Sequence, residues 1–487
     1  MKFNIKEKFN YFLKDTKDYP VLAAFNVGFY GFVFYFSNNF DSVNSWQQTF
    51  FFLFYFIIGS IILVFSVYKL VQKSKYSRFA TQSILFMMLF LLPIYLLDRT
   101  VLFDSYKRAG LFLILVVILI LFIVKFKIKN YKYLIVFVFF ILFLPTLKLG
   151  EIIYLNFTNS SKWQLQPDNI LETKFKNTPN IYYIQPDGYA NETNLKDNLY
   201  HFDNSTFDNW LTHKKFTLYE NNRSNYPSTL SSNSSSFFMK HHFFNEYSNF
   251  VYARDLIVGE NPVLRILKDN NYKTFFISER PYLLINKPKV YYDYCNFKSD
   301  ELPYFNDGWT TFKEITAEIK SQINNNKKTN NFFFIQKFSP GHIAVRKKAD
   351  STIESERAEY LTKLKIANDW LKEIIGYIEK NDPNSIIIIG ADHAGFVGFE
   401  YTLQSMEKIT DPQLLNSIFG AKLAIKWNNP IHKEYDVKLK TSVNLFRVLF
   451  SYLSEDKLLL DNLQPNASYN EYDVTNLKKV YKAFDEN

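Results

Sequence analysis

A single cysteine, Cys295, stands among the 487 residues. Its solitude excludes an intrachain disulfide and any thiolate cluster around a metal, and it reads as a small buried residue. The polar half also lacks a basic run interleaved with aromatics. The net charge of +10 is therefore not a nucleic-acid signal, and much of it falls in short loops between apolar runs. One of those loops, Ser37 to Gln48, has neither Lys nor Arg.

What is present divides the chain in two. From about Tyr19 to Gly150 apolar runs dominate, with five candidate spans near Val21–Phe36, Phe50–Val67, Thr81–Leu97, Gly110–Val124 and Tyr133–Leu149. Each is close to the length that crosses a bilayer core, and a signal peptide would not repeat. Lysines 2, 6, 8, 14 and 17 precede the first span; Lys69, Lys73, Lys75 and Arg78 follow the second; Lys125, Lys127, Lys129 and Lys132 follow the fourth. By the positive-inside rule the amino terminus is cytoplasmic and everything after Leu149 lies on the far side. The third connection dissents with Arg99, Lys107 and Arg108, partly offset by Asp98 and Asp104. The expected organisation is a transmembrane domain of five helices over 1–150, a connector over 151–178 with an interfacial helix using Trp163, a catalytic domain over 179–463, and a polar tail over 464–487.

The polar half alternates strands with helices. NIYYIQ from Asn180 runs into Pro186-Asp187-Gly188, KTFFIS from Lys273 and NFFFIQ from Asn331 follow, and Ile386 to Ile389 are four isoleucines in a row. Such runs read as strands buried on both faces. Between the last two lies a helix over Glu356–Lys380, apolar at Tyr360, Leu364, Ala367, Leu371, Ile374 and Ile378. Strand, crossover helix and strand make a mainly parallel sheet, which places its chemistry at the strands' carboxyl ends. Three chemistry-bearing segments sit there. Asp392-His393 pairs a hard and a borderline ligand for a divalent cation. Asp187 is either a turn aspartate or a ligand, and His342 follows the third strand, suited to a phosphate or leaving-group oxygen. Thr229, two residues after Pro227, is either an N-cap or a nucleophile in the field of a helix start, with Ser228, Ser231 and Ser232 as fallbacks. His241-His242 has no acidic neighbours in a matching context and reads as structural.

In this order, NIYYIQPDGY, SNYPST, NPVLRILKDNNYKTFFI, SPGH, IIIIGADHAG and TSVNLFRVLF resemble the sulfatase-like branch of the alkaline phosphatase superfamily. The likeness is greatest to membrane-bound lipoteichoic acid synthase-like and phosphoethanolamine transferase-like proteins. It implies a helical membrane domain followed by an α/β alkaline-phosphatase-like domain whose mainly parallel sheet is flanked by helices. It further implies Asp187, Thr229, Asp392 and His393 around one divalent ion (manganese or zinc, or magnesium), Thr229 as the nucleophile, and His342 on the substrate's phosphate or headgroup. The chain departs from that pattern where Ala394 separates His393 from Gly395, where His342-Ile343-Ala344 replaces His-x-Pro, and where serines and Asn233 replace leucines after Thr229. Cys295 is followed by Asn-Phe-Lys, so it is no formylglycine precursor in a Cys-x-Pro-x-Arg setting.

The resulting expectation is a bacterial multi-pass membrane enzyme with its catalytic domain periplasmic or extracellular. It would move phosphoglycerol or phosphoethanolamine from a phospholipid to a cell-surface glycan or lipid through a phosphothreonine, with no nucleic-acid partner. A hydrolase of the same fold, or a degenerate envelope assembly protein, are the alternatives. In a Cys295→Ala background, single cysteines placed after Leu149 are expected to react with an impermeant maleimide on intact cells. Those placed between Val67 and Thr81 should react only after the membrane is opened, and the reverse pattern would put the domain in the cytosol.

Overall fold

The structure, a computed structural model, describes residues 5–97, 110, 114, 130–158, 161–242, 252–305, 307–474 and 477–485. It divides into two compact units, Met1–Asn159 and Ser160–Asn487. Among the described residues of the first unit, four helices are long and apolar enough to cross a membrane: Pro20–Val43, Trp46–Lys73, Ser77–Tyr95 and Lys132–Leu155. The expected span Gly110–Val124 lies outside the described residues apart from Gly110 and Ile114, as do Arg99, Lys107 and Arg108. Small residues let the first two spans approach. A Cβ on Gly28 would fall 2.3 Å from the Phe56 carbonyl oxygen, and one on Gly31 would meet the Tyr95 ring. Such close backbone approach is how helices associate without a hydrophobic driving force. The unit ends at Asn159 and not at 150 because the last helix, Phe143–Thr158, carries its apolar run onward through Ile152, Ile153 and Leu155.

The second unit is built on a seven-stranded sheet. In chain order the strands are β1 Ile181–Pro186, β2 Thr217–Leu218, β3 Tyr272–Ser278, β4 Tyr294–Cys295, β5 Asn330–Lys337, β6 Ile386–Gly390 and β7 Leu423–Lys426. Their spatial order is β2-β7-β6-β1-β5-β3-β4. The stretch from β6 through β1, β5 and β3 to β4 is parallel, and β7 pairs antiparallel with both β6 and β2. The architecture is thus the expected one, apolar helices followed by a mainly parallel α/β domain.

Side chains alternate across the sheet, so each strand feeds two cores. Tyr182, Ile184, Phe333, Ile335, Ile387 and Ile389 pack with the helix Ile353–Asn381 through its buried Tyr360, Leu364, Ala367, Leu371, Ile374 and Ile378. That helix opens on a capping box in which Thr352 Oγ1 accepts from the Ser355 amide at 3.2 Å and Ser355 Oγ accepts from the Thr352 amide at 2.9 Å; this satisfies two otherwise unpaired donors. On the other face Ile181, Tyr183, Phe332, Phe334, Ile386 and Ile388 meet the helices Thr229–Phe238, Pro262–Asp269 and Leu445–Ser454.

Segments expected as connector and tail take other forms. Residues 161–178 hold two short 3₁₀ turns, Ser161–Gln164 and Ile170–Glu172. Trp163 is spent on the second unit's own core margin, its ring 5.1 Å from that of Phe238. The polar carboxyl-terminal residues form an antiparallel hairpin, β8 Ser468–Val474 and β9 Leu477–Phe484. It is tied to the loop before Thr229: the Tyr469 amide donates to the Asn225 carbonyl at 2.9 Å, Ser468 Oγ to the Ser224 carbonyl at 2.7 Å, and Asn225 Nδ2 to the Ala467 carbonyl at 2.8 Å.

A buried ion triad closes the back of the sheet edge. Lys422 is fully buried, with Nζ against Glu192 Oε1 and 2.7 Å from Asp208 Oδ1. Its backbone joins β7 to the neighbouring turns, accepting from the Ala391 amide and donating to the Tyr189 carbonyl, each at 2.9 Å. Burial works against the lysine's charge, but the two carboxylates outweigh it and hold it above its ordinary value. Lys422→Met would strand two carboxylates in the core, a loss of about 3–5 kcal/mol. Denaturant unfolding of the full chain is the measurement, and adding Glu192→Gln and Asp208→Asn to Lys422→Met is expected to recover most of the stability.

Candidate metal centre

Three strand ends and one helix start converge. Asp187 follows β1, His342 lies in the loop after β5, Asp392 and His393 follow β6, and Thr229 is the first residue of its helix. The loops interlock through the backbone. The Asp187 amide donates to the Lys337 carbonyl and the Gly341 amide to the Asp187 carbonyl, each at 2.8 Å, and the Ile343 amide to the Gly395 carbonyl at 3.1 Å. Gly188 makes this possible: at φ +66° it adopts a backbone L side chains rarely take, and a Cβ there would fall 2.1 Å from the Gly341 carbonyl oxygen.

Asp187, Asp392 and His393 are all buried, and one ligand atom from each lies within 4.8 Å of the others. His393 Nε2 is 3.6 Å from both Asp187 Oδ1 and Asp392 Oδ2. Its Nδ1 donates to the Ala394 carbonyl at 2.8 Å, so in the neutral ring the lone pair sits on Nε2, toward the carboxylates. Thr229 Oγ1 donates to Asp187 Oδ1 at 3.3 Å. Asp392 Oδ1 accepts from the Gly188 amide at 3.3 Å, whereas Asp392 Oδ2 is buried with no hydrogen-bond partner. A buried carboxylate oxygen left bare beside a second carboxylate and an imidazole lone pair is the donor set a divalent cation takes. The residues fit such an ion.

The electrostatics reflect the crowding of these buried groups. Burial, then the neighbouring Asp392 carboxylate, pushes Asp187 up to about 7. For His393, burial opposes the charged ring, but Asp392 and Asp187 outweigh it and raise it. His342 stands beside the cluster, its ring centroid 5.9 Å from that of His393. Desolvation, then the His393 ring, lowers it to about 4, and its Nδ1 donates to the Ile343 carbonyl at 2.6 Å. His342 is therefore neutral near pH 7 with Nε2 as an acceptor.

The helix start differs from one of the two readings of Thr229. Ser228, not Thr229, is the N-cap: its Oγ accepts from the Ser231 amide at 3.4 Å and lies 2.7 Å from Ser231 Oγ. That engages two of the fallback nucleophiles. The third, Ser232, donates to the Tyr226 carbonyl at 2.8 Å. Thr229 at the first helical position keeps its hydroxyl for Asp187. His241 and His242 are tied to backbone carbonyls, His241 Nε2 to Pro465 at 2.8 Å and His242 Nε2 to Ser231 at 2.9 Å, away from the cluster.

Other residues that shape the site carried no motif. Tyr360, fully buried, donates to the Gly188 carbonyl at 3.0 Å and accepts from the Ala190 amide at 3.1 Å. Its ring occupies the space where a Cβ on Gly395 would be, 2.3 Å away. This explains the spacing Asp-His-Ala-Gly: Ala394 is buried with its amide on the Ile418 carbonyl, and the glycine is needed one place later, under the tyrosine.

No protein-family model matches the sequence, and no curated protein matches it. Among solved structures the chain is similar to the C-terminal periplasmic domain of phosphoethanolamine transferase EptC from Campylobacter jejuni, at 14% identity and TM-score 0.40, covering 57% of this chain and 89% of that one. It is also similar to the C-terminal periplasmic domain of EcEptC from Escherichia coli in complex with zinc, at 12% identity and TM-score 0.38, covering 57% and 83%. A sulfatase candidate from Bacteroides fragilis aligns at 12% identity and TM-score 0.40, covering 61% and 82%.

Gly188→Ala combines a strained φ with a backbone collision. It is expected to lower stability by about 1–3 kcal/mol and to remove the rise in melting temperature expected of the wild-type chain on adding a divalent cation such as manganese. Both effects are read by melting the full chain with and without the metal.

Proposed function

We propose that the protein is a membrane-bound, metal-dependent phospho-group transferase that carries a phospholipid headgroup phosphate, phosphoglycerol or phosphoethanolamine, to a cell-surface glycan or lipid. The observation that carries this reading is the contact of Thr229 Oγ1 with Asp187 Oδ1 at 3.3 Å, at the margin of the buried Asp187, Asp392 and His393 cluster. Those three residues, with Thr229, would hold one divalent ion, manganese or zinc. When bound, such an ion lowers the pKa of an adjacent hydroxyl and neutralises charge on a transferring phosphate.

The chain's own residues do the rest. Asp187 orients the Thr229 hydroxyl, and the first turn of the helix adds unpaired amides in a positive field suited to phosphate oxygens. Thr229 Oγ1 bonds to the donor's phosphorus as the bond to diacylglycerol breaks, and the threonine proton leaves with that alcohol. The covalent phosphothreonine ester then meets the acceptor. Neutral His342, with Nδ1 committed to Ile343, presents Nε2 to accept the acceptor hydroxyl's proton. The acceptor oxygen bonds to phosphorus as the bond from phosphorus to Thr229 Oγ1 breaks, and the proton taken up by His342 passes to Thr229 Oγ1, restoring the hydroxyl and the neutral ring. Water in the acceptor's place gives the hydrolase of the same fold. The apolar helices of the first unit supply tethering beside the donor, with the catalytic unit on the outer face.

Incubating the full chain with phosphatidylglycerol or phosphatidylethanolamine and manganese or zinc is expected to add one headgroup phosphate to the intact mass of the wild type and none to Thr229→Ala. Asp392→Asn is expected to slow adduct formation by roughly 10²-fold or more, the scale for losing a group that stabilises transition-state charge. Mass addition on Thr229→Ala equal to wild type removes the threonine from the reaction. Release of the headgroup at the same rate with and without acceptor identifies the hydrolase.

A further inference from the structure

The helix that begins at Thr229 runs back along β1 in register with it. Three rungs join them: Thr229 meets Asp187, Asn233 meets Gln185, and Phe237 meets Tyr183 with ring centroids 6.4 Å apart. Four helical residues rise about 6 Å and two strand residues about 6.6 Å, so each rung repeats the one above it. The middle rung is a reciprocal pair. Gln185 Nε2 donates to Asn233 Oδ1 at 2.6 Å, and Asn233 Nδ2 donates to Gln185 Oε1 at 2.9 Å. Both side chains are buried.

The pair is not an isolated contact. In the sheet, Gln185 on β1, Gln336 on β5 and Ser278 on β3 share one register position. Gln336 Nε2 donates to Gln185 Oε1 at 3.4 Å, and Ser278 Oγ to Gln336 Oε1 at 3.2 Å. Gln185 Nε2 also donates to the Tyr183 hydroxyl at 3.1 Å. The amide that grips the helix is therefore held from the strand side by two further partners. Buried, with each amide nitrogen and oxygen of Gln185 and Asn233 engaged, such a network favours one arrangement, and the cost of an unpaired amide enforces it.

Resting on the reading that Thr229 is the nucleophile, we propose that the Gln185–Asn233 pair is a positioning device for the transfer reaction: it sets the height and rotation of the helix so that Thr229 Oγ1 stays against Asp187. Neither residue touches substrate or metal; both act through Thr229. An apolar pair of the same size would fill the space, but would leave the helix free to slide or turn about its axis, since dispersion contacts are not directional.

The test uses the full chain in detergent, with manganese and phosphatidylglycerol vesicles or micelles as probe. Asn233→Leu is expected to lower kcat by roughly 10²-fold, the scale for about 1 Å of misplacement. KM and retained manganese should stay within about twofold of wild type, because the three remaining ligands are untouched. The swap Gln185→Asn with Asn233→Gln keeps the summed length and the reciprocal pairing, and is expected to restore most of the lost kcat. If Asn233→Leu alone fails to fold, Gln185→Leu with Asn233→Leu removes both halves of the pair; a wild-type melting temperature with low kcat then supports positioning. Wild-type kcat in either leucine variant, or a swap no better than the single change, overturns it. Hydrogen exchange over residues 229–238 separates this proposal from the one it rests on. If the wild type itself shows no manganese-dependent headgroup release, the transferase reading falls. Faster exchange at 229–233 in Asn233→Leu, reversed in the swap, then still upholds positioning of the helix start, and unchanged exchange overturns it.

Discussion

Two carboxylates buried side by side cannot both stay ionised without a partner. Asp187 and Asp392 lie at adjacent strand ends, shielded from water, with His393 Nε2 3.6 Å from an oxygen of each. A protein that merely needed a core there would use apolar residues, which are as stable or more so than buried ions. The backbone around the pair is correspondingly constrained: Gly188 is bent into a positive φ, its amide serves Asp392, and Tyr360 braces both Gly188 and Gly395. Packing, turn geometry and hydrogen bonds over three strands together hold the two carboxyl groups and the imidazole in one buried cluster.

The same constraint separates the roles of the two histidines. Each commits Nδ1 to a backbone carbonyl, yet they face different fields. The carboxylates raise His393, while desolvation and that neighbouring imidazole lower His342. One ring thus sits in a field that favours its charged form, while the other, beside it, is held neutral. Residue type alone could not have divided them.

Much of the frame was legible from apolar patterning. Four consecutive isoleucines, the NFFFIQ run and the 3.6-residue period from Tyr360 to Ile378 each became the strand or helix that the pattern required, because burial on both faces or along one stripe leaves a periodic trace. The strand-end positions of Asp187, His342 and Asp392 followed from that. What left no trace is pairing between distant polar side chains. Gln185 and Asn233 are 48 residues apart in sequence, and neither type signals a buried partner. The serines after Thr229 suggested a flexible loop as readily as a helix. Within the helix Ser234 and Ser235 turn their hydroxyls back onto the carbonyls of Leu230 and Ser232, which satisfies them, so the segment can be polar in sequence and buried in the fold. The carboxyl-terminal residues were misleading in another way: Tyr469, Tyr472, Val474, Val480 and Tyr481 are strand formers, but without clean alternation the segment's polarity read as a tail.

That hairpin has a temporal consequence. Ala467, Ser468 and Tyr469 clasp Ser224 and Asn225, a few residues ahead of the threonine, through three hydrogen bonds, and the Val443 amide donates a further one to the Asn225 side chain. Loop and clasp are separated by some of the longest contacts in the unit, so a nascent chain can complete its sheet, and even gather its acidic residues, while the threonine loop is still unfastened. A chain assembled in this order gives the loop ahead of Thr229 its final setting only when the last two strands have been made.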